Sequence, residues 1–125
     1  MAASGTFAWN ELLTSDPQRA MEFFARTLGW TFSRFDIGAP YWVIHACETM
    51  VGGPGAITAG DLDTADSYWL AFIEVDEINR RYARAINLGA TEIRGPHDVP
   101  EVGRVAVLRD PTGGLIGWIQ SAVSN

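Results

Sequence analysis

The chain has no lysine; all nine of its basic positions are Arg. That absence removes Schiff-base chemistry and the P-loop lysine. It also argues against a nucleic-acid partner, because phosphate binding needs clustered positive charge and the formal net charge here is -6. Acidity of this size otherwise says little, since modest negative charge most often serves solubility. Cysteine occurs once, at Cys47, so no intramolecular disulfide can form and a reducing compartment fits best. No apolar run approaches the length of a membrane span, and the opening "MAASGTF" has neither the basic nor the apolar region of a signal peptide. The expectation is a cytoplasmic protein with no membrane partner. Gly52-Gly53-Pro54-Gly55 is not a phosphate cradle, since neither GKS/T nor GxGxxG accompanies it.

Core-forming residues are plentiful: five Trp, six Phe and three Tyr in 125 residues that are 47% hydrophobic. A chain of this size and composition builds one domain, residues 1–125, without help from a metal or a disulfide. The first strand reads from about Thr6 to Thr14 and ends at Asp16-Pro17, a helix cap followed by proline at the first helical position. Ala20, Phe23, Phe24 and Leu28 then recur at helical spacing, and Gly29 closes the helix. Three strands or near-strands follow, in "TFSRFDI", "YWVIHAC" and "MVGGPGAIT". After the polar segment "GDLDTADS" the order repeats. "YWLAFIEV" leads to Asp76 as the second cap, a helix carries Ile78, Tyr82, Ala85 and Ile86, Leu88-Gly89 mirrors Leu28-Gly29, and "TEIRG", "GRVAVLRD" and "GLIGWIQS" complete the set. The pattern predicts an α+β chain of two βαβββ modules, about 5–59 and 68–121, joined by a linker at 60–67. A sheet with a helix on one face leaves its other face to cover, and two such modules can curl these faces around one cleft.

With "WNELLTSDPQRAMEFFARTLGW", "FIEVDEINRRYARAINLGA" and "GRVAVLRDPTGGLIGWIQ" in this order, the chain resembles the vicinal oxygen chelate superfamily of glyoxalase I, bleomycin-resistance proteins and extradiol dioxygenases. The resemblance implies the paired-module fold and a homodimer. Metal-binding members hold their ion with His or Glu from the first and last strands of each module. Those positions fall here on Trp9, on Leu70 (Trp69 if the register slips by one) and on Gly117, while the stretch Met50 to Gly53 offers no carboxylate or imidazole. An indole, an alkyl chain and a hydrogen supply no donor to a divalent cation, so neither a metal nor another cofactor is expected.

Strand alternation puts Trp9 and Glu11 on one face and Asn10 and Leu12 on the other. By the family register the Trp9 and Glu11 face lines the cleft, joined by Leu70, Phe72 and Glu74 and by Leu115, Gly117 and Ile119, while Ala71, Ile73 and Val75 pack under the helix. The candidate ligand-binding set is therefore Trp9, Glu11, Leu70, Phe72, Arg104 and Gly117. Glu11 is the candidate acid or base, with an ion pair to an inward Arg34 or Arg104 as the structural alternative. Glu74, one residue from its strand end, is read as solvated, and His97, after Gly95-Pro96, as an exposed loop residue. Arg104 would meet an anionic ligand group or sit in an ion pair. Trp42, Trp69 and Trp118 read as core, Trp118 under a helix. His45 and Cys47 share a face as a conceivable base and nucleophile. We read that pairing as coincidental, because no third orienting group accompanies it.

Two functions of different class follow. One is metal-free binding of a small aromatic or amphipathic molecule, as in bleomycin-resistance relatives. The other is a metal-independent isomerase, lyase or hydrolase in which Glu11 works beside Trp9. A metal-dependent glyoxalase or dioxygenase ranks last on the chemistry of Trp9, Leu70 and Gly117.

Overall fold

A computed structural model describes residues 4–37, 39–46, 55–59 and 67–122. They form β1 (Phe7–Thr14), α1 (Pro17–Leu28), β2 (Thr31–Ile37), β3 (Ala39–His45), β4 (Gly55–Ala59), β5 (Tyr68–Glu74), α2 (Ile78–Asn87), β6 (Thr91–Val99), β7 (Gly103–Arg109) and β8 (Leu115–Ser121). This is the βαβββ order twice over, an α+β chain. It divides into two compact units, Trp9–Leu70 and the pair of segments Met1–Ala8 with Ala71–Asn125, through their described residues.

In the unit Trp9–Leu70 the strands lie in the order β2, β3, β4, β1. β1 runs parallel to β4, and the other neighbours are antiparallel. α1 starts where expected: the Asp16 carboxylate accepts the Arg19 N–H at 3.1 Å, and Pro17 lacks the N–H that a first helical turn cannot use. It stops at Gly29, whose φ of 72° suits glycine and whose N–H bonds the Ala25 carbonyl at 3.1 Å. Leu12, Met21, Ile44 and Ile57 form the buried core between helix and sheet, with Phe24, Trp30, Phe32 and Trp42 packed around them. Trp69 is 46% exposed, its ring meeting Phe24 and Trp30 edge-on with centroids 5.8 and 6.3 Å away. Core is thus the wrong description for Trp69, while Trp42 fits it.

The other unit has the order β5, β8, β7, β6. Val75, Ile78, Tyr82, Ala106 and Leu108 form its core under α2, and Ile73 and Trp118 pack against it as alternation requires. The second helix cap differs from expectation. The Asp76 carboxylate is taken by the Arg81 guanidinium at 2.9 Å, which holds it below its usual range, and the residue before the helix is Glu77 at φ 47° with no side-chain cap. The first helical N–H, that of Ile78, is met instead by the Gln120 side-chain oxygen at 2.9 Å. A side chain from β8 thus substitutes for a local cap, which sequence spacing cannot reveal.

Burial and the neighbouring Glu92 carboxylate push the Tyr82 phenol up from 10.0 to about 12. The folded state therefore holds this proton more tightly than the unfolded chain. Its contribution to stability is complete below pH 10 and disappears as pH rises toward about 12. In an ultraviolet titration Tyr82 should ionise late, near pH 12, and Tyr82→Phe should remove one late-ionising phenol.

Candidate functional site

The face of the Trp9–Leu70 sheet opposite α1 can be built row by row from the strand register. One row runs Ser33, Val43, Ala56, Glu11 across the four strands. The next runs Phe35, Tyr41, Thr58, Leu13. His45 pairs with Thr31 one step the other way, and Trp9 lies two residues before Glu11 on the same face. Side chains on this face point away from Leu12, Ile44 and Ile57, which are buried under α1. The floor is apolar, with Ala56 completely buried, and Phe35 and Tyr41 stack at 5.8 Å beside it.

Glu11 is half-buried on this face, and Asn10 is exposed on the other. Burial raises the Glu11 carboxyl above its ordinary 4.5, opposed by a hydrogen bond from the Trp9 indole. The ion-pair alternative is not realised. Arg34 lies on the α1 side, 5.6 Å over the Trp42 ring and 3.3 Å from Asp36. Arg104 is likewise elsewhere, and among the described residues no ion pair reaches Glu11. The face therefore presents a carboxyl group whose proton burial holds more tightly than usual, an indole beside it and an apolar floor.

Other candidates fall in different places. Leu70 is buried, at 2% exposure. Phe72 and Gly117 are register partners in the second unit, and a Cβ at position 117 would overlap the Phe72 ring. Arg104 takes the ion-paired one of its two expected arrangements. It shares the α2 side of β7 with Ala106 and Leu108, donates to Asn79 at 2.8 Å and pairs with Asp98 at 3.1 Å. Glu74 is corrected, from solvated to buried, with its carboxylate accepting the backbone N–H and the hydroxyl of Ser121. His97 is a half-buried strand residue of β6 whose Nδ1 bonds the Gly95 carbonyl at 2.9 Å, not an exposed loop residue. His45 bonds Ser33, its Nε2 lying 2.8 Å from the Ser33 hydroxyl oxygen. Sequence reasoning missed Ser33, although period-two alternation along β2 and β3 would put it on the face of His45. Cys47, Met50 to Gly53 and all of the linker except Ser67 lie outside the described residues.

The family's metal positions do not suit a cation here. Trp9 offers only an N–H donor, Leu70 an alkyl chain, and the space beside Gly117 is taken by Phe72. Among the described residues, no three His, Cys, Asp or Glu side chains come together as a ligand group.

Two consecutive βαβββ modules with these registers define the class of glyoxalase-like folds. The chain belongs to the glyoxalase-like domain family, which it matches over residues 9–116. It is 35% identical over 121 residues to the Mycobacterium tuberculosis protein named "Putative glyoxylase CFP32", covering 95% of this chain and 45% of that protein. It is 32% identical over 112 residues to the anthracycline biosynthesis protein DauV of Streptomyces sp. strain C5, covering 87% of this chain and 39% of the relative. The chain thus spans less than half the length of the curated relatives it matches. Among solved structures, the methylmalonyl-CoA epimerase of Mycobacterium tuberculosis superposes with a TM-score of 0.67 at 15% identity, over 98% of this chain and 93% of that one. The likeness to the epimerase is one of fold.

Proposed function

We propose that the protein binds a small aromatic or amphipathic molecule on the Trp9 and Glu11 face without a metal, and that Glu11 acts on it as a metal-independent acid or base. The observation that carries this reading is the half-buried Glu11 carboxyl, raised by desolvation and bonded by the Trp9 indole, with no ion pair among the described residues to make it structural. Binding without turnover is the second reading, favoured by the stacked Phe35 and Tyr41 on the same face. A ligand released chemically unchanged would favour that second reading. The name of the Streptomyces relative, for anthracycline biosynthesis, agrees with an aromatic ligand in either case. No helix of the described chain is long and apolar enough to cross a membrane. A cytoplasmic homodimer completes the proposal, and light scattering should return twice the monomer mass.

Native mass spectrometry of the protein as purified should show a co-purified small molecule that Glu11→Gln loses or weakens. The same substitution has a consequence for stability. Because the folded carboxyl is raised, its ionisation opposes folding at neutral pH, and that opposition fades as pH falls through the folded value and ends below the ordinary 4.5. Glu11→Gln should therefore melt higher than wild type at pH 7, and the two should converge in acid. Equal melting temperatures at both pH values would show that Glu11 is not held in a desolvated site.

A further inference from the structure

Strand β6 breaks period-two alternation twice. Its pairing with β7 sets Glu92 against Leu108, Arg94 against Val107 and His97 against Val105, with one register shift between Glu92 and Arg94 and another between Arg94 and His97. Unbroken alternation would put Arg94 on the face of Glu92 and His97 on the other. The first bulge instead turns Arg94 away from Glu92, and the second returns His97 to the side of Arg94. Leu108 is buried under α2 and Val107 alternates away from it. Arg94 and His97 therefore stand together on the face opposite α2, about 7 Å apart as measured along β7.

The acids of this strand point the other way. Glu92 lies on the α2 side near Tyr82, and Asp98 pairs with Arg104 there. Arg109, opposite Thr91, adds a third cation to the Arg94 face, its Nη1 donating to the Gly113 carbonyl at 2.9 Å. Asp110 beside it is engaged by the N–H groups of Thr112 and Gly114, and Glu74, three strands away, by Ser121. Among the described residues no ion pair reaches Arg94, which is exposed on the edge strand of its unit. His97 is half-buried and its ring is fixed: a carbonyl only accepts, so the Nδ1 bonded to Gly95 at 2.9 Å carries the hydrogen. In the neutral ring Nε2 is then an acceptor.

That tautomer selects the anion. An arginine fork suits carboxylate or phosphate alike, but at neutral pH a carboxylate has no hydrogen for Nε2 to accept. A phosphate monoester, whose second ionisation falls at about 6, brings one. We propose that Arg94 and His97 form a binding site for a phosphate monoester at the β6 edge. The Arg94 guanidinium meets two phosphate oxygens, and Nε2 of His97 accepts the P–O–H hydrogen. Moved onto Nε2, the same proton is donated back to the dianion, so the count of protons is unchanged. The group sits beside the exposed Arg94 and half-buried Val105, and requires no room over Val107, which is buried. This site lies within the second unit and is independent of the Glu11 reading.

The test follows the two histidine rings by NMR at neutral pH, with ionic strength held constant by sodium chloride. Methyl phosphate should shift the His97 signals, assigned by their loss in His97→Gln, along a saturating curve with Kd on the order of 1 mM, and leave those of His45 in place. Arg94→Gln should weaken binding by about tenfold or more, whereas Arg84→Gln, which removes a cation from α2, should not. Acetate should bind at least about tenfold more weakly than methyl phosphate. Circular dichroism melting of each variant keeps folding separate from binding. A drift that never saturates, equal movement of both rings, or undiminished binding in Arg94→Gln would overturn the site. Acetate binding as tightly as methyl phosphate would overturn its assignment to a phosphate monoester.

Discussion

Gly117→Ala is expected to destabilise the protein by about 1–3 kcal/mol, the usual consequence of forcing a methyl group into a filled core. The cause is specific. Gly117 and Phe72 are neighbours across β8 and β5, and any Cβ at 117 would collide with the Phe72 ring, which is itself only 7% exposed. Phe72→Ala alone should cost about 3–5 kcal/mol through the cavity it leaves. Combining the two should cost clearly less than their sum, because the alanine methyl enters space that the ring has vacated. Chemical denaturation of the four proteins in such a cycle gives the coupling directly. Strict additivity would show that the ring does not occupy the place of a 117 side chain. The same geometry predicts that Gly117→Glu, which restores the carboxylate of metal-binding relatives, destabilises the fold rather than creating a metal site.

The second large effect belongs to Glu74. Its carboxylate is buried and accepts both the backbone N–H of Ser121, at 2.9 Å, and the Ser121 hydroxyl. Glu74→Ala strands both donors near the end of β8 and should cost about 2–3 kcal/mol. Ser121→Ala removes only the hydroxyl and should cost about 1 kcal/mol. Glu74→Gln keeps an acceptor for the backbone N–H and should fall between them. Thermal melts that ranked Ser121→Ala as the worst of the three would contradict this arrangement.

The fold was largely legible because its signals are local. Asp16-Pro17, the helical spacing of Ala20, Phe24 and Leu28, and the Gly29 stop place α1, and alternation separates Trp9 and Glu11 from Leu12 and Thr14. The misreadings share one physical cause: a partner distant in sequence decides the environment. Glu74 is near a strand end, which suggests solvent, yet Ser121 from a parallel neighbour encloses its carboxylate. Asp76 has the chemistry of a helix cap, but Gln120 meets the helix instead. Of the two readings of Arg104, the parity of β7 favours the paired one, with Asn79 and Asp98. At the candidate site, Glu11 and Trp9 could be named from one strand, whereas the place of Ser33 needs the β2 to β3 register that brings it to His45.

The most direct test of a metal-free site centred on Glu11 is the rate at which exhaustively chelated wild-type protein opens 5-nitrobenzisoxazole, whose ring opens when a base takes its C–H proton, measured beside Glu11→Gln. The account predicts that chelation leaves the wild-type rate unchanged and that the variant falls to the level of simple carboxylate buffer. A rate abolished by chelation and restored by a divalent metal, or one that survives in Glu11→Gln, would contradict it.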